Sequence, residues 1–469
     1  MRTTIRNIIY STVMLLALSA CDDKLDITPK GQTTLQTVDD LELLLNQEYD
    51  LSTMPFIDLG VICDESLGTT TAVSEVLAQT NTLDYAYLTY DESVDRATLS
   101  QQDARYEALY KYINYMNVII DKAPDASGDN ATRSTIVAQA HVLRAYFHYL
   151  LAGIYAAQYD DATAADLGGI PYVKDTETGT TKEKLSLKDT YDNILADCTD
   201  DIIAKLPQST GDVFRPGQAA GYAIRAKALF QMKHYDEALT YAQAATKVNG
   251  RIEDRSTVAE TESWSVDQTS DNNYFYVEAT SRVCPFTETA SLETMDKFED
   301  GDYVRTYDFM AWSELYGQMF AGIEGCATCF AMSASTTPYG INAERTYYLA
   351  AECLIRTGKI RDGLAMVDKV RACRVEDCTK FADLYDESPL SEEEAMALLQ
   401  KAKWIECLGS YENFFDCKRW NSEAKYKKTI TRSLGEDLGS YSLSPESPLW
   451  VLPFPANSVR YNSTLTQNY

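Results

Sequence analysis

Ala226-Lys-Ala-Leu-Phe-Gln-Met-Lys-His-Tyr-Asp-Glu-Ala-Leu239 and Ala351-Glu-Cys-Leu-Ile-Arg-Thr-Gly-Lys-Ile-Arg-Asp-Gly-Leu364 are two copies of one pattern. Laid over each other, Ala226 falls on Ala351, Leu229 on Leu354, Tyr235 on Ile360, Ala238 on Gly363 and Leu239 on Leu364. Apolar residues recur at helical spacing on both sides of a short polar turn, so each copy predicts two helices folded back on each other. The small residues, Ala226 with Ala238 and Ala351 with Gly363, fall where two helix backbones must approach closely.

Outward from these copies the same periodicity continues. Gln101–Lys122 carries Tyr106, Leu109, Tyr110, Ile113, Met116 and Asn117 on one face, and Ala131–Tyr155 is a strong apolar helix. Further helices are predicted over Leu187–Leu206, Gln218–Met232 and Tyr235–Val248, with Gly168-Gly169-Ile170-Pro171 as a sharp break. Thr37 or Asp39 caps a first helix. The repeat has the spacing of a tetratricopeptide unit. By the same logic 131–206 holds another pair with a longer link, and 391–420 part of a fourth. The fold class is therefore mainly α, a tetratricopeptide-like scaffold of about four helix pairs. Two large irregular insertions, 52–100 and 250–340, interrupt it, and the chain turns loop-like after Trp420. Long irregular loops on a rigid scaffold are where binding residues concentrate.

The N-terminus reads as an export signal. Arg2 and Arg6 precede an apolar run from Ile8 to Leu18, then Leu18-Ser19-Ala20-Cys21. The run is shorter than the roughly 20 apolar residues that a membrane span needs. Residues 1–20 are the expected signal peptide and 21–35 an extended tether. The body, 36–469, divides at the second insertion into 36–249, 250–340 and 341–469. Acids outnumber Lys plus Arg 70 to 42, a net charge of −28, which repels phosphate backbones and anionic headgroups. Nucleic acid is thus not an expected partner.

Little catalytic chemistry can be read from the chain. No phosphate loop, nucleophile elbow or H-E-x-x-H stands in the sequence. His141 and His148 lie two helical turns apart, too far to chelate together, and His234 begins a turn without a partner signal. Of the 11 cysteines, Cys198, Cys353, Cys407 and Cys417 sit at apolar helix positions and read as small hydrophobes. Cys326 with Cys329 and Cys373 with Cys378 are close enough for local disulfides but lack a second ligand pair for zinc. Neither metal, cofactor nor enzymatic turnover is expected.

Several segments together resemble the SusD/RagB family of nutrient-binding outer-membrane lipoproteins. They are Cys21 followed by Asp22-Asp23-Lys24-Leu25-Asp26 and Pro29; Ala138–Tyr155 with Gly169-Ile170-Pro171-Tyr172; Tyr191–Asp197 through Leu206-Pro207; and Ala226–Ala245. Further on come Ala350–Leu354 with Val370-Arg371, Phe415-Asp416-Cys417-Lys418-Arg419-Trp420, Pro453-Phe454-Pro455 and the final Asn462–Asn468. Cys417 replaces the family's usual Leu, and Ser410-Tyr411-Glu412-Asn413 replaces its Glu-Gly-x-Arg. The resemblance implies lipid attachment at Cys21, exposure at the cell surface and capture of an oligosaccharide or peptide. It also implies a partner, a SusC-like TonB-dependent outer-membrane transporter barrel that the protein caps. A protein-interaction lipoprotein of tetratricopeptide type is the alternative.

Sugar rings are gripped by exposed aromatic faces with polar neighbours, and 32 tyrosines leave many candidates. Trp404, Trp420 and Trp450 lie in the C-terminal framework and are expected in the core. In the first insertion Tyr85, Tyr87 and Tyr90 cluster, the first two alternating as a strand would place them. In the second, Trp312 and Tyr316 stand four apart. These five are the expected ligand-binding residues.

Overall fold

The computed structural model describes residues 35–46, 49, 57–66, 73–177, 179–257, 259, 270–277, 289–307, 309–311, 326–330 and 339–469. Its longer helices are α1 (Ala104–Lys122), α2 (Asn130–Tyr155), α3 (Leu187–Ala196), α4 (Gln218–Gln231), α5 (Tyr235–Val248), α6 (Ala343–Arg356), α7 (Ile360–Arg371), α8 (Glu392–Glu406) and α9 (Glu412–Asn421). Helix starts follow local chemistry. Asp129, Ser186, Asn342 and Ser391 each accept a backbone N–H from the first turn of α2, α3, α6 and α8, contacts worth about 1 kcal/mol each.

The two repeat copies are the pairs α4–α5 and α6–α7, and α5 packs on α6 to join them. Between the copies Ala226, Leu229, Phe230, Ala238, Leu239 and Ala242 meet Leu349, Ala350, Cys353 and Leu354 in one apolar cluster. Ala226 and Ala238 are thus buried contact points in this cluster, and Ala351 and Gly363 are buried where α6 meets α7. α1 pairs with α2, and α2 is apolar on nearly every side because the largest core surrounds it. α2 also packs on α3, and the long link between them carries the antiparallel hairpin β1 (Gly168–Pro171) and β2 (Lys184–Ser186). α8 lies across α6 and α7.

Three expectations need correction. The helix read through Leu206 breaks after Ala196, because the Asp197 carboxylate is drawn inward. It accepts from Arg144 Nε at 2.7 Å and from the Tyr172 hydroxyl at 2.6 Å, and bonds His141 at 2.8 Å. Burial opposes ionisation there, yet these bonds hold its carboxyl far below the usual range. The first insertion is not irregular where described: Ile57–Ile62, Val73–Leu77, Leu83–Thr89 and Arg96–Leu99 are short helices. The tail after Trp420 contains the antiparallel hairpin β8 (Ile430–Ser433) and β9 (Ser440–Leu443). Between these, β3 (Asn273–Phe275) pairs with β7 (Ile341–Asn342), and β4 (Thr289–Ser291), β6 (Cys326–Phe330) and β5 (Phe309–Ala311) form one sheet in that order.

Cys198, Cys353 and Cys407 are buried as expected, Cys417 is half-buried, and Cys373 and Cys378 are both free thiols. Cys326 and Cys329 lie outside the described side chains. Among the described residues, no helix is long and apolar enough to cross a membrane.

Many cations are spent inside the fold. Arg419 binds Glu352 and Asp416 at 2.5 and 2.7 Å, Lys403 binds Asp416 at 2.6 Å, Lys227 binds Glu412 at 2.8 Å and Arg374 binds Glu406 at 2.8 Å. Burial alone would raise the Glu352 carboxyl, but Arg419 and Lys403 hold it below its ordinary value. Removing one member of such a pair leaves a stranded charge and costs about 3–5 kcal/mol.

The close approach of α6 and α7 yields a test. A Cβ added at Gly363 meets the Ala351 carbonyl oxygen at 2.8 Å and Ile355 Cγ1 at 2.6 Å. Gly363→Ala gains roughly 1 kcal/mol of helix propensity. Forcing the backbones apart costs about 1–3 kcal/mol. Urea titration is expected to show a net destabilised variant; an unchanged or raised midpoint overturns the close-packing account.

Candidate functional site

The first insertion reaches the scaffold through a short polar segment, Cys63-Asp64-Glu65-Ser66, at the end of helix Ile57–Ile62. Asp64 holds a left-handed backbone, φ 63°, which is uncommon for a residue with a side chain. Arg432 on β8 maintains it. Its guanidinium donates to Asp64 Oδ1 at 2.9 Å, to the Leu88 carbonyl at 2.8 Å, to the Tyr87 carbonyl at 3.2 Å and to the Val61 carbonyl. It also lies 4.4 Å from the centroid of the Tyr90 ring. One buried side chain thus ties two short helices of the first insertion to the C-terminal hairpin.

Glu65 makes the second tie. Its carboxylate accepts from the Gly409 N–H and from Asn413 Nδ2, both at 2.7 Å. Its carbonyl accepts from the Ser291 N–H at 3.0 Å and the Thr294 hydroxyl at 2.9 Å. The Ser291 hydroxyl donates to the Asp64 carbonyl at 2.6 Å. The two insertions therefore meet at Asp64-Glu65 and Ser291–Thr294, over helices α8 and α9.

Beside this junction opens a cleft of about 600 Å³, lined by Cys63, Asp64, Glu293, Lys297, Trp404, Cys417, Trp420, Tyr426 and Lys428, among others. That volume is within the range of small-molecule sites, about 300–1,000 Å³. Trp404 Nε1 donates to the Thr294 hydroxyl at 2.9 Å, and the Lys297 ammonium stands 4.7 Å from its ring centroid. Trp420 Nε1 donates to Glu352 at 3.0 Å, and Arg356 lies 4.4 Å from the Tyr426 centroid. On the rim Glu293 accepts from Lys297 and Lys428, each at 2.8 Å. Burial opposes its charge, yet the two lysines hold its carboxyl down to about 2. The rim charges thus largely cancel, and the cleft offers hydrogen bonds rather than a net field.

Asp64 is engaged by Arg432, and burial pushes the Cys63 thiol well up. The histidines serve the scaffold: His148 stacks on Tyr172 at 3.7 Å and burial lowers its pKa to about 3, His141 bonds Asp197 and His234 bonds Asp161.

Of the five expected ligand contacts, Tyr85, Tyr87 and Tyr90 lie on or just after helix Leu83–Thr89, not on a strand. Thr82 caps that helix, accepting the Tyr85 N–H at 3.1 Å. In a helix, Tyr85 and Tyr87 point about 200° apart and share no face. Leu83, Ala86, Tyr87 and Tyr90 form the inward stripe, leaving Tyr87 and Tyr90 only 4% and 6% exposed. Tyr85 is half-exposed and packs on a small cluster of Val73, Val76, Leu88 and Leu434, which Leu438 and Tyr441 at the turn end of the C-terminal hairpin also cover. Trp312 and Tyr316 lie outside the described residues. Trp404, Trp420 and Trp450 are buried as expected, although the first two also line the cleft. Sequence reasoning missed Glu65, Arg432, Glu293 and Lys297; only the i, i+4 spacing of Glu293 and Lys297 signalled their pairing.

Glu65 generates a pH prediction. Burial raises its carboxyl from 4.5 to about 7, only partly offset by Gly409 and Asn413. Between those values the unfolded chain has released its proton and the folded chain has not. Stability therefore falls as pH rises from about 4.5 to about 7. This side chain accounts for about 3 kcal/mol of that fall. Glu65→Gln removes this part of the slope; melting curves across the window check it, and an identical slope in the variant rules out the assignment.

Residues 26–230 match a SusD-like model described as starch-binding, associating with the outer membrane, and residues 343–469 match the SusD family model. No curated protein matches the sequence. A SusD superfamily protein from Bacteroides thetaiotaomicron superposes with TM-score 0.72 at 16% identity, covering 92% of this chain and 100% of its own. A putative sugar-binding protein from Bacteroides vulgatus gives 0.66 at 15% identity, over 93% and 99%. A SusD-like carbohydrate-binding protein from the same organism gives 0.65 at 14%, over 92% and 97%. At such identities the superpositions speak for the fold. Together with the two family matches, which span well over half of the sequence, they show that the chain belongs to the SusD/RagB family.

Proposed function

We propose that the protein captures glycan at the cell surface and passes oligosaccharide to a TonB-dependent outer-membrane transporter, leaving its bonds intact. The observation that carries this reading is the convergence of both insertions on one cleft, at Asp64-Glu65 and Ser291–Thr294. The description of the matching family model, starch-binding and associating with the outer membrane, supports it. The paired rim charges suit a neutral polyhydroxylated ligand.

The rings already seen in the cleft are covered or buried: Trp404 is faced by Lys297, Tyr426 by Arg356, and Trp420 is buried with Arg419 5.7 Å from its ring centroid. The stacking platform then falls to Trp312 and Tyr316, with half-exposed Tyr85 at the far side of β8–β9. Trp312 directly follows Ala311 of β5, which is in register with Thr328 and through it with Ala290, the residue before Ser291. In this reading residues 1–20 are a signal peptide, Cys21 carries the acyl chains, 21–35 form the tether and 36–469 the binding body.

Calorimetry with neutral oligosaccharides is expected to show that Trp312→Ala and Tyr85→Ala each weaken binding about tenfold, the scale of one lost stacking contact. Wild-type affinity in both variants overturns the site, and release of reducing ends by purified protein overturns the absence of turnover. Cys21→Ala is expected to move the protein from the membrane to the soluble fraction. Native purification recovering an assembly without a transporter barrel favours the protein-interaction alternative.

A further inference from the structure

We propose that Cys63 and Cys417 are a modification site: a dithiol that closes into a disulfide and staples the first insertion to α9. Cys63 follows helix Ile57–Ile62, which packs against α9, and Cys417 lies in α9 itself. The two thiols are within hydrogen-bonding reach of each other, and both line the junction cleft. Both are free in the structure, Cys63 buried and Cys417 partly open to the cleft. The Cys63 sulfur makes a long hydrogen bond, 3.6 Å to the Gly60 carbonyl. By contrast, Cys198 turns its sulfur 3.1 Å from the Ile194 carbonyl of its own helix.

The asymmetry of exposure sets the order of events. A small disulfide, RSSR, enters the cleft, and the Cys417 thiolate attacks one of its sulfurs. A Cys417–S–SR bond forms, the S–S bond of the reagent breaks, and RS⁻ leaves and takes up a proton. Cys63 then gives up its proton and attacks the Cys417 sulfur, expelling the second RS⁻. Two protein thiols are oxidised, one RSSR is reduced to two RSH, and the protein loses two hydrogens. Burial keeps Cys63 protonated at neutral pH, so the second step is the slow one. The bond links points far apart in sequence and fixes the wall of the cleft at Cys63-Asp64. Its formation in the cell rests on the export reading, since disulfides persist outside the reducing cytosol; the chemistry of the pair does not.

The test uses purified full-length protein, so its result is independent of location. After incubation with oxidised glutathione without denaturant, iodoacetamide blocking and non-reducing peptide mapping, a Cys63–Cys417 cross-linked peptide is expected. Reduction restores two alkylatable thiols. Cys63→Ser is expected to stop at one glutathione on Cys417, with no cross-link. Wild-type protein in which Cys417 stays unmodified, or keeps its glutathione, overturns the proposal whether or not the variant folds.

Discussion

Glu65 is the point on which the arrangement of the functional end depends. The described parts of the first insertion are short helices whose apolar residues pack partly into the main core and partly into a small cluster of Val73, Val76 and Leu88 with Leu434 of the C-terminal hairpin. Buried polar side chains that reach across the sequence then fix how these pieces sit. Glu65 joins the first insertion to the scaffold through Gly409 and Asn413, and to the second through Ser291 and Thr294. Arg432 does the same between two short helices and the C-terminal hairpin. Such bonds are directional, and a buried polar group without its partner is costly. That combination fixes geometry where apolar packing would tolerate sliding.

The scaffold was legible in the sequence for a physical reason. Helix pairs are local, and their small contact residues recur at fixed spacing, so Ala226, Ala238, Ala351 and Gly363 could be placed without a structure. Even the membership of the family followed from the order of such local pieces. The break after Ala196 was not legible, because Asp197 is pulled inward by Arg144, more than fifty residues upstream in the chain. The site was less legible still. Glu65 and Arg432 are separated by most of the body, and nothing local marks either as a fastener.

The tyrosines show how a short window misleads. Tyr85 and Tyr87 alternate like a strand, but the wider stretch Leu83, Ala86, Tyr87 and Tyr90 has helical spacing and begins behind a threonine cap. The longer pattern prevails because it matches an apolar stripe to the core. Two of the three rings consequently face inward, and the surface keeps only Tyr85.

The inward placement of arginine and lysine has a consequence for the molecule in solution. With Arg419, Arg374, Lys403, Lys227 and Arg144 committed to interior carboxylates, the surplus of acids is carried by the outer shell. The particle moves with a cloud of mobile counter-cations around it. An uncharged sugar entering the cleft leaves that cloud nearly intact, whereas a charged protein surface pressed against the shell must displace part of it. Ionic strength therefore separates the two encounters, barely touching the first while retuning the second.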